Sequence, residues 1–290
     1  MDTSKAKNVI IVLLLAFNIF LLVNTLIFRS SQAVNRDTLE NTRIILEQRG
    51  VMLECDIPSK PGGSNRLVYI KSELDRENIA HRLLGAEYEV QGSEVPGDGS
   101  SPGDGVLFVN SAGMIEFTGA DGFIYTAGTA EYSALTADEV RSDVGEKEAE
   151  ETAMKFMKEK GLLSGKYVLD HAARNDDGSW TLVYIETYGG SLLFDNYFSV
   201  TVRDGEVNRL EYQRHQFRGL SNENTERFEA YQALLAYFKE GSNIVITSID
   251  SGYKLEETSM KEVESVELLP VWRVKIKDMS EPVYISPHYT

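Results

Sequence analysis

The sequence predicts an α+β protein: an N-terminal transmembrane helix followed by two modules of mostly antiparallel sheet with packed helices. Three observations carry that reading. Val9 to Phe28 is an apolar run of 20 residues without a charge. Strand-period alternation recurs downstream, as where Phe198, Val200 and Val202 interleave with Tyr197, Ser199 and Thr201, the pattern of a sheet with one buried face. Between the strands lie stretches with helical apolar spacing that end on glycines.

The apolar run, VIIVLLLAFNIFLLVNTLIF, would extend about 30 Å as a helix, the thickness of a bilayer core. Lys5 and Lys7 precede it and Arg29 closes it. Ser31-Gln32-Ala33 resembles a signal-peptidase site, but a cleaved signal carries a shorter apolar stretch of roughly 7–15 residues. The sequence therefore predicts an uncleaved anchor at 9–28 behind a cytoplasmic stub at 1–8. The two stub lysines favour a cytoplasmic N-terminus, which places the bulk of the chain outside a cell membrane crossed once. Asn18 and Thr25, seven residues apart, share a helix face, with Asn24 well round from it. Polar side chains in a span often mark helix–helix contacts, so Asn18, Asn24 and Thr25 are the candidate partner-contact residues.

The first module is expected at 31–130. Leu39, Ile44, Ile45 and Leu46 suit a helix running from Asp37 to Gly50, with Gly50 suited to its C′ position. A strand at 51–57, a second at 67–70 and a helix over 74–84 ending at Gly85 follow. Residues 88–90 are read as strand, and the Gly/Asp-rich stretch 92–105 as an exposed loop. Three apolar runs, at 106–109, 114–117 and 123–125, read as an antiparallel meander.

The boundary is expected in the polar stretch 127–145, and the second module at 145–290. Ala149, Ala153, Phe156 and Met157 form one face of a helix whose first turns are acidic, as the helix dipole favours. Gly161 stops it. Strands are expected at 167–172, 180–188, 194–202 and 207–217, with turns at NDDGS, YGGS and RDGE. A helix over 226–239 and strands near 244–255, 270–277 and 283–286 complete the chain.

Composition excludes more than it names. The chain has 290 residues, with 45 acidic against 29 basic side chains, a net charge of −16 and a pI near 4.8. That balance repels phosphate backbones, so no nucleic-acid partner is expected. One cysteine, Cys55, precludes an internal disulfide, and its neighbours Glu54 and Asp56 would raise the thiol pKa. Four scattered histidines and no CxxC spacing point to no zinc site. Asp98 and Asp104 lack calcium-loop spacing, and Gly92-Ser93 lacks a nucleophile-elbow frame. Asp195-Asn196, beside YGGS, reads as turn chemistry. Trp272 in Pro270-Val271-Trp272-Arg273 reads as core or edge packing, and Glu146–Glu151 as a solvated helix start. No catalytic, cofactor-binding or metal residue is expected, and no enzyme.

The opening MDTSKAKNVIIVLLLAFNIFLL resembles the start of the YycI (WalI) family, LFDNYFSVTVRDGEVNRLEYQ its central sheet, and GYKLEE with LLPVWRVKIKD and VYISP the C-terminal hairpin shared with YycH and PepSY-like domains. Thr3 and the 92–105 loop depart from the family pattern. The resemblance implies an accessory protein of a two-component system that controls cell-wall metabolism. Its partners would be a WalK-like sensor histidine kinase and a YycH-like protein, met through the spans, with the bilayer contacting Val9 to Phe28. A different reading of the same chain is an extracytoplasmic PepSY-like module that binds or inhibits a peptidase or wall ligand.

Overall fold

A computed structural model describes residues 10–22, 34–60, 65–70, 73–92, 106–128, 144–224, 229–240, 243–255, 265–279 and 281–286. The N-terminal elements are α1 (10–22), α2 (Arg36–Gln48), β1 (Val51–Leu53), β2 (Asn65–Ile70), α3 (Arg76–Leu84) and β3 (Glu89–Gln91). Next come β4 (Leu107–Asn110), β5 (Gly113–Phe117), β6 (Gly122–Ala127), α4 (Glu146–Glu159), β7 (Lys166–Arg174) and β8 (Trp180–Tyr188). Then follow β9 (Ser191–Arg203), β10 (Glu206–Gln213), β11 (Gln216–Asn224) and α5 (Ala230–Tyr237). The chain continues through β12 (Ile244–Tyr253), β13 (Ser265–Leu268), β14 (Pro270–Ile276) and β15 (Val283–Ile285).

The chain forms two compact units, each assembled from separated segments. One comprises Met1–Ser64, Glu226–Asp250 and Val271–Thr290; the other comprises Asn65–Thr225 and Ser251–Pro270. This differs from the serial division expected at 127–145. The reason is strand pairing between distant segments: β1 runs parallel to the start of β12, with Val51 opposite Ile244, and β2 lies between β11 and β13. Apolar periodicity reports local elements and carries no pairing information.

In the first unit, the start of β12 lies between β1 and β14, and β15 pairs antiparallel with β14. Helices α2 and α5 pack against each other. Leu46, Val51, Leu234, Ile246, Trp272 and Val274 lie in its core, so Trp272 is a packing residue, as expected. Asn35 caps α2 by accepting from the Asp37 N–H at 3.2 Å, and Gly50 takes the left-handed turn beyond it at φ 79°. Arg49 donates to the carbonyls of Leu235 and Phe238 at 2.8 and 2.9 Å, placing a cation at the α5 C-terminus where the dipole favours one. Arg273, 3% exposed, holds Asp250 at 2.9 Å, and Ser248 donates to the same carboxyl oxygen.

In the second unit, eight strands run in the order β7-β8-β9-β10-β6-β5-β4-β3, every neighbour antiparallel. The meander β4-β5-β6 is the one expected. Two-residue turns connect the long strands: Gly189-Gly190 at φ 60° and 90°, and Asp204-Gly205 at φ 53° and 77°. Positive φ at both positions matches strand twist. Helices α3 and α4 cover the sheet, and Ile79, Leu83, Ala153 and Met157 share a core with Phe117, Phe198 and Leu210. Stacked and edge-on rings extend through it, with Tyr184 on Phe198 at 4.8 Å and Phe123 on Tyr212 at 5.2 Å.

A second sheet of this unit, ordered β11-β2-β13, is absent from the sequence reading. The strand expected over 207–217 breaks at Arg214-His215, and its last residues begin β11 in the other sheet. The helix expected over 226–239 is helical over Ala230–Tyr237, with 225–228 outside the described residues.

Candidate functional site

Two places answer to the sequence's site residues. The first is α1. Its described side chains are exposed on every side, including Ile10, Leu13, Phe17, Phe20 and Leu22. Asn18 donates its side-chain amide to the Leu14 carbonyl at 2.9 Å, so one polar group is satisfied inside the helix. Asn24 and Thr25 lie outside the described residues, as do Asp98 and Asp104. Among the described residues, no helix is long and apolar enough to cross a membrane; α1 covers 13 of the 20 residues expected to span one.

The second place is Asp195-Asn196, and here the turn reading is corrected. Both residues lie inside β9, and Asn196 is fully buried. Ile185 of β8 faces Tyr197 of β9, yet the next residue, Glu186, faces Leu193. Phe194, Asp195 and Asn196 therefore bulge out of the ladder, which frees their side chains and backbone for other partners. Gly252 passes close to the bulge; a Cβ there would come within 2.6 Å of the Phe194 ring.

Around the bulge, carboxylates and cations are matched pair by pair. Glu186 accepts from Asn196 Nδ2 at 2.8 Å and from Arg214 Nε at 3.2 Å. Its carboxyl lies over Gly165, where a Cβ would occupy the same space. Asp195 accepts from the Leu255 backbone N–H and from Lys254 Nζ at 3.4 Å. Asp121 accepts from Gln213 Nε2 at 3.1 Å and contacts His215 Nδ1. His215 also stacks on Tyr69, with ring centroids 5.2 Å apart.

Burial and partners act differently on the two aspartates. Burial pushes Asp195 above the usual carboxylate range, against the opposing pull of Lys254, the Leu255 N–H and His215. Burial also pushes Asp121 upward, but hydrogen bonds and charge from His215, with help from Gln213, hold it below that range. The Tyr69 hydroxyl is driven up by burial and by the Asp195 and Glu186 charges. Arg214 is held firmly protonated: burial opposes its charge, and Glu186 more than compensates.

Each of these carboxylates is occupied by donors, so the cluster positions chain segments. Among the described residues no group of three His, Cys, Asp or Glu side chains is arranged to hold a metal ion. Cys55, in the first unit, has its thiol raised chiefly by burial, with Asp250 and Asp56 adding and Arg43 opposing; a thiolate is disfavoured there. Glu146 and Glu148 are exposed in the first turn of α4, as a solvated helix start requires. The sequence missed the cluster because its members come from five separated segments. The one local signal was a pair of polar residues interrupting an otherwise apolar strand.

A search of curated proteins finds no match. Among solved structures, YycH from Bacillus subtilis is similar at 11% identity with a TM-score of 0.50, covering 80% of this chain and 54% of YycH. The chain thus spans about half the length of that protein, and the likeness is one of fold. The C-terminal domain of YpeB from Bacillus megaterium matches at 13% identity and a TM-score of 0.38, covering 74% of this chain and 94% of that domain. The family model described as YycI protein matches residues 29–285, nearly the whole of the chain, and the chain belongs to the YycI family.

Proposed function

We propose that this chain is a membrane-anchored regulator of a WalK-like sensor histidine kinase controlling cell-wall metabolism. YycI is a regulatory accessory family rather than an enzyme family, and the carboxylates of the buried cluster are already engaged. The observation that carries the anchoring is α1, whose described side chains are exposed and, apart from Asn18, apolar. In water such a helix leaves its whole apolar surface unburied; in a bilayer it is at its lowest free energy. In this reading 9–28 spans once, 1–8 is cytoplasmic and the two units lie outside.

Coupling passes between spans, from this helix to those of the kinase and of a YycH-like partner. Asn18, Asn24 and Thr25 contribute polar contacts, worth about 0.6 kcal/mol each on average. A bias of that size changes a two-state kinase by less than about threefold, so shape along the whole helix matters more. Replacing 9–28 by an unrelated apolar span should abolish crosslinking to the kinase and its effect on a kinase-dependent reporter. Replacing Asn18 and Thr25 by Leu should only weaken both. Full regulation through the unrelated span would move the function to the extracytoplasmic units. Protease added to wall-stripped cells should degrade those units; release of a soluble product beginning near Val34 would refute the anchor.

A further inference from the structure

The β11-β2-β13 sheet shares no ladder with the eight-stranded sheet of its unit among the described residues. Its strands pair only with one another, β11 and β13 flanking β2. Two of the chain passages that lead into it run beside the β9 bulge. One is the two-residue crossing from β10 to β11 through Arg214 and His215; the other leaves β12 through Lys254 and Leu255.

Neighbouring residues of the β9 bulge grip both passages. Asn196 accepts from the His215 N–H at 2.9 Å and returns a hydrogen bond to the His215 carbonyl at 3.0 Å. Asp195 accepts from the Leu255 N–H and from Lys254. The first passage is held further by Arg214 on Glu186, His215 on Asp121, and the Arg214 N–H on the Asp121 carbonyl at 2.9 Å.

What lies beneath the small sheet is modest. Leu67, Tyr69, Leu193, Tyr253 and Leu268 form a cluster separate from the large core under α3 and α4. Tyr69 brings a fully buried hydroxyl that has no hydrogen-bond partner among the described residues, a desolvation cost incurred only when the sheet is closed. A segment with few apolar contacts and no ladder to its neighbour is the kind that opens below the global unfolding free energy.

We propose that β11-β2-β13 is a lid that opens as one cooperative unit, and that Asp195 and Asn196 are the catch that holds it shut. Opening uncovers Leu67, the Tyr69 ring and the bulge itself, while the large sheet keeps its ladder and its core. The lid is independent of how the chain meets a membrane or a kinase.

Amide hydrogen exchange on the full chain in detergent micelles tests this. Wild type should exchange faster over 65–70 and 216–221 than over 181–187 and 197–202. Asn196→Ala removes bonds that only the closed state makes, so it should speed lid exchange by about tenfold or more, with the large sheet rising as well because the closed state is also raised relative to the unfolded chain. Tyr69→Phe, which deletes only the orphaned hydroxyl, should slow lid exchange severalfold. Leu182→Ala, in the large core that both the closed and the lid-open states keep, should speed 181–187 and 197–202 and leave 65–70 and 216–221 unchanged. Lid exchange unchanged by Asn196→Ala, lid exchange rising in step with the large sheet in Leu182→Ala, lid exchange in wild type as slow as that of the large sheet, or unslowed exchange in Tyr69→Phe would each overturn the proposal.

Discussion

Between Tyr197 and Val202, β9 buries Phe198, Val200 and Val202 to 1% exposure or less and turns Tyr197, Ser199 and Thr201 the other way. Between Phe194 and Asn196 the same strand leaves its ladder and surrounds a buried amide and a carboxylate with donors. The first half is held by apolar burial, which is non-directional and tolerates exchange among residues of similar volume. The second half is held by directional pairs, each strong only while both members are present. Substitutions should therefore fail differently in the two halves.

The largest loss is expected in the apolar half. Phe198 packs against the rings of Tyr184 and Tyr167 at 4.8 and 4.9 Å. Phe198→Ala should cost about 3–5 kcal/mol through lost transfer free energy and the cavity left behind, measured by denaturant unfolding of the full chain in detergent. Phe198→Leu should recover more than half of that. Equal losses for Ala and Leu would mean that ring geometry, rather than volume, holds this half.

A smaller loss that does not respond to volume is expected beside the bulge. Arg214→Met leaves Glu186 buried with Asn196 as its remaining donor among these pairs, and should cost about 3 kcal/mol, the lower end for a broken buried pair because Arg214 keeps some contact with water. Adding Glu186→Gln to Arg214→Met should restore part of the stability, since the uncompensated charge is then gone. A double-mutant cycle with no coupling between the two positions would show that the contact carries no energy.

The two halves also differed in how far the sequence disclosed them. Alternation at 197–202, the meander and the glycine-terminated helices were legible because each is a local periodic pattern. Trp272 was legible as packing from its residue type, a large ring within a strand. Asp195-Asn196 was not: a polar pair next to Gly189-Gly190 has the local chemistry of a turn, and the bulge exists only in register with Glu186 on β8. The β11-β2-β13 sheet was invisible for a related reason, since its strands come from three segments that meet only in the folded chain. The two-unit division likewise depends on β1 finding β12.

The finest distinction lies inside the polar region, between Asp195 and Asp121. Burial raises Asp195 in the fold, so the folded state prefers it protonated. Its contribution to stability is full below the unfolded carboxylate value of about 3.9 and is lost as pH rises through the raised folded value. Asp121 is depressed by His215 and Gln213. Its contribution is full above about 3.9 and is lost as pH falls through the lowered folded value. From pH 7 downward, stability should first gain from Asp195 and then lose from Asp121. Asp195→Asn keeps an oxygen for the Leu255 N–H and removes the charge, so it should flatten only the rise. Asp121→Asn should flatten only the fall. Denaturant midpoints measured from pH 3 to pH 7 would show both slopes. If Asp195→Asn leaves the rise intact, another acid produces it, and the matched pairs around the bulge are not what sets the pH response of this unit.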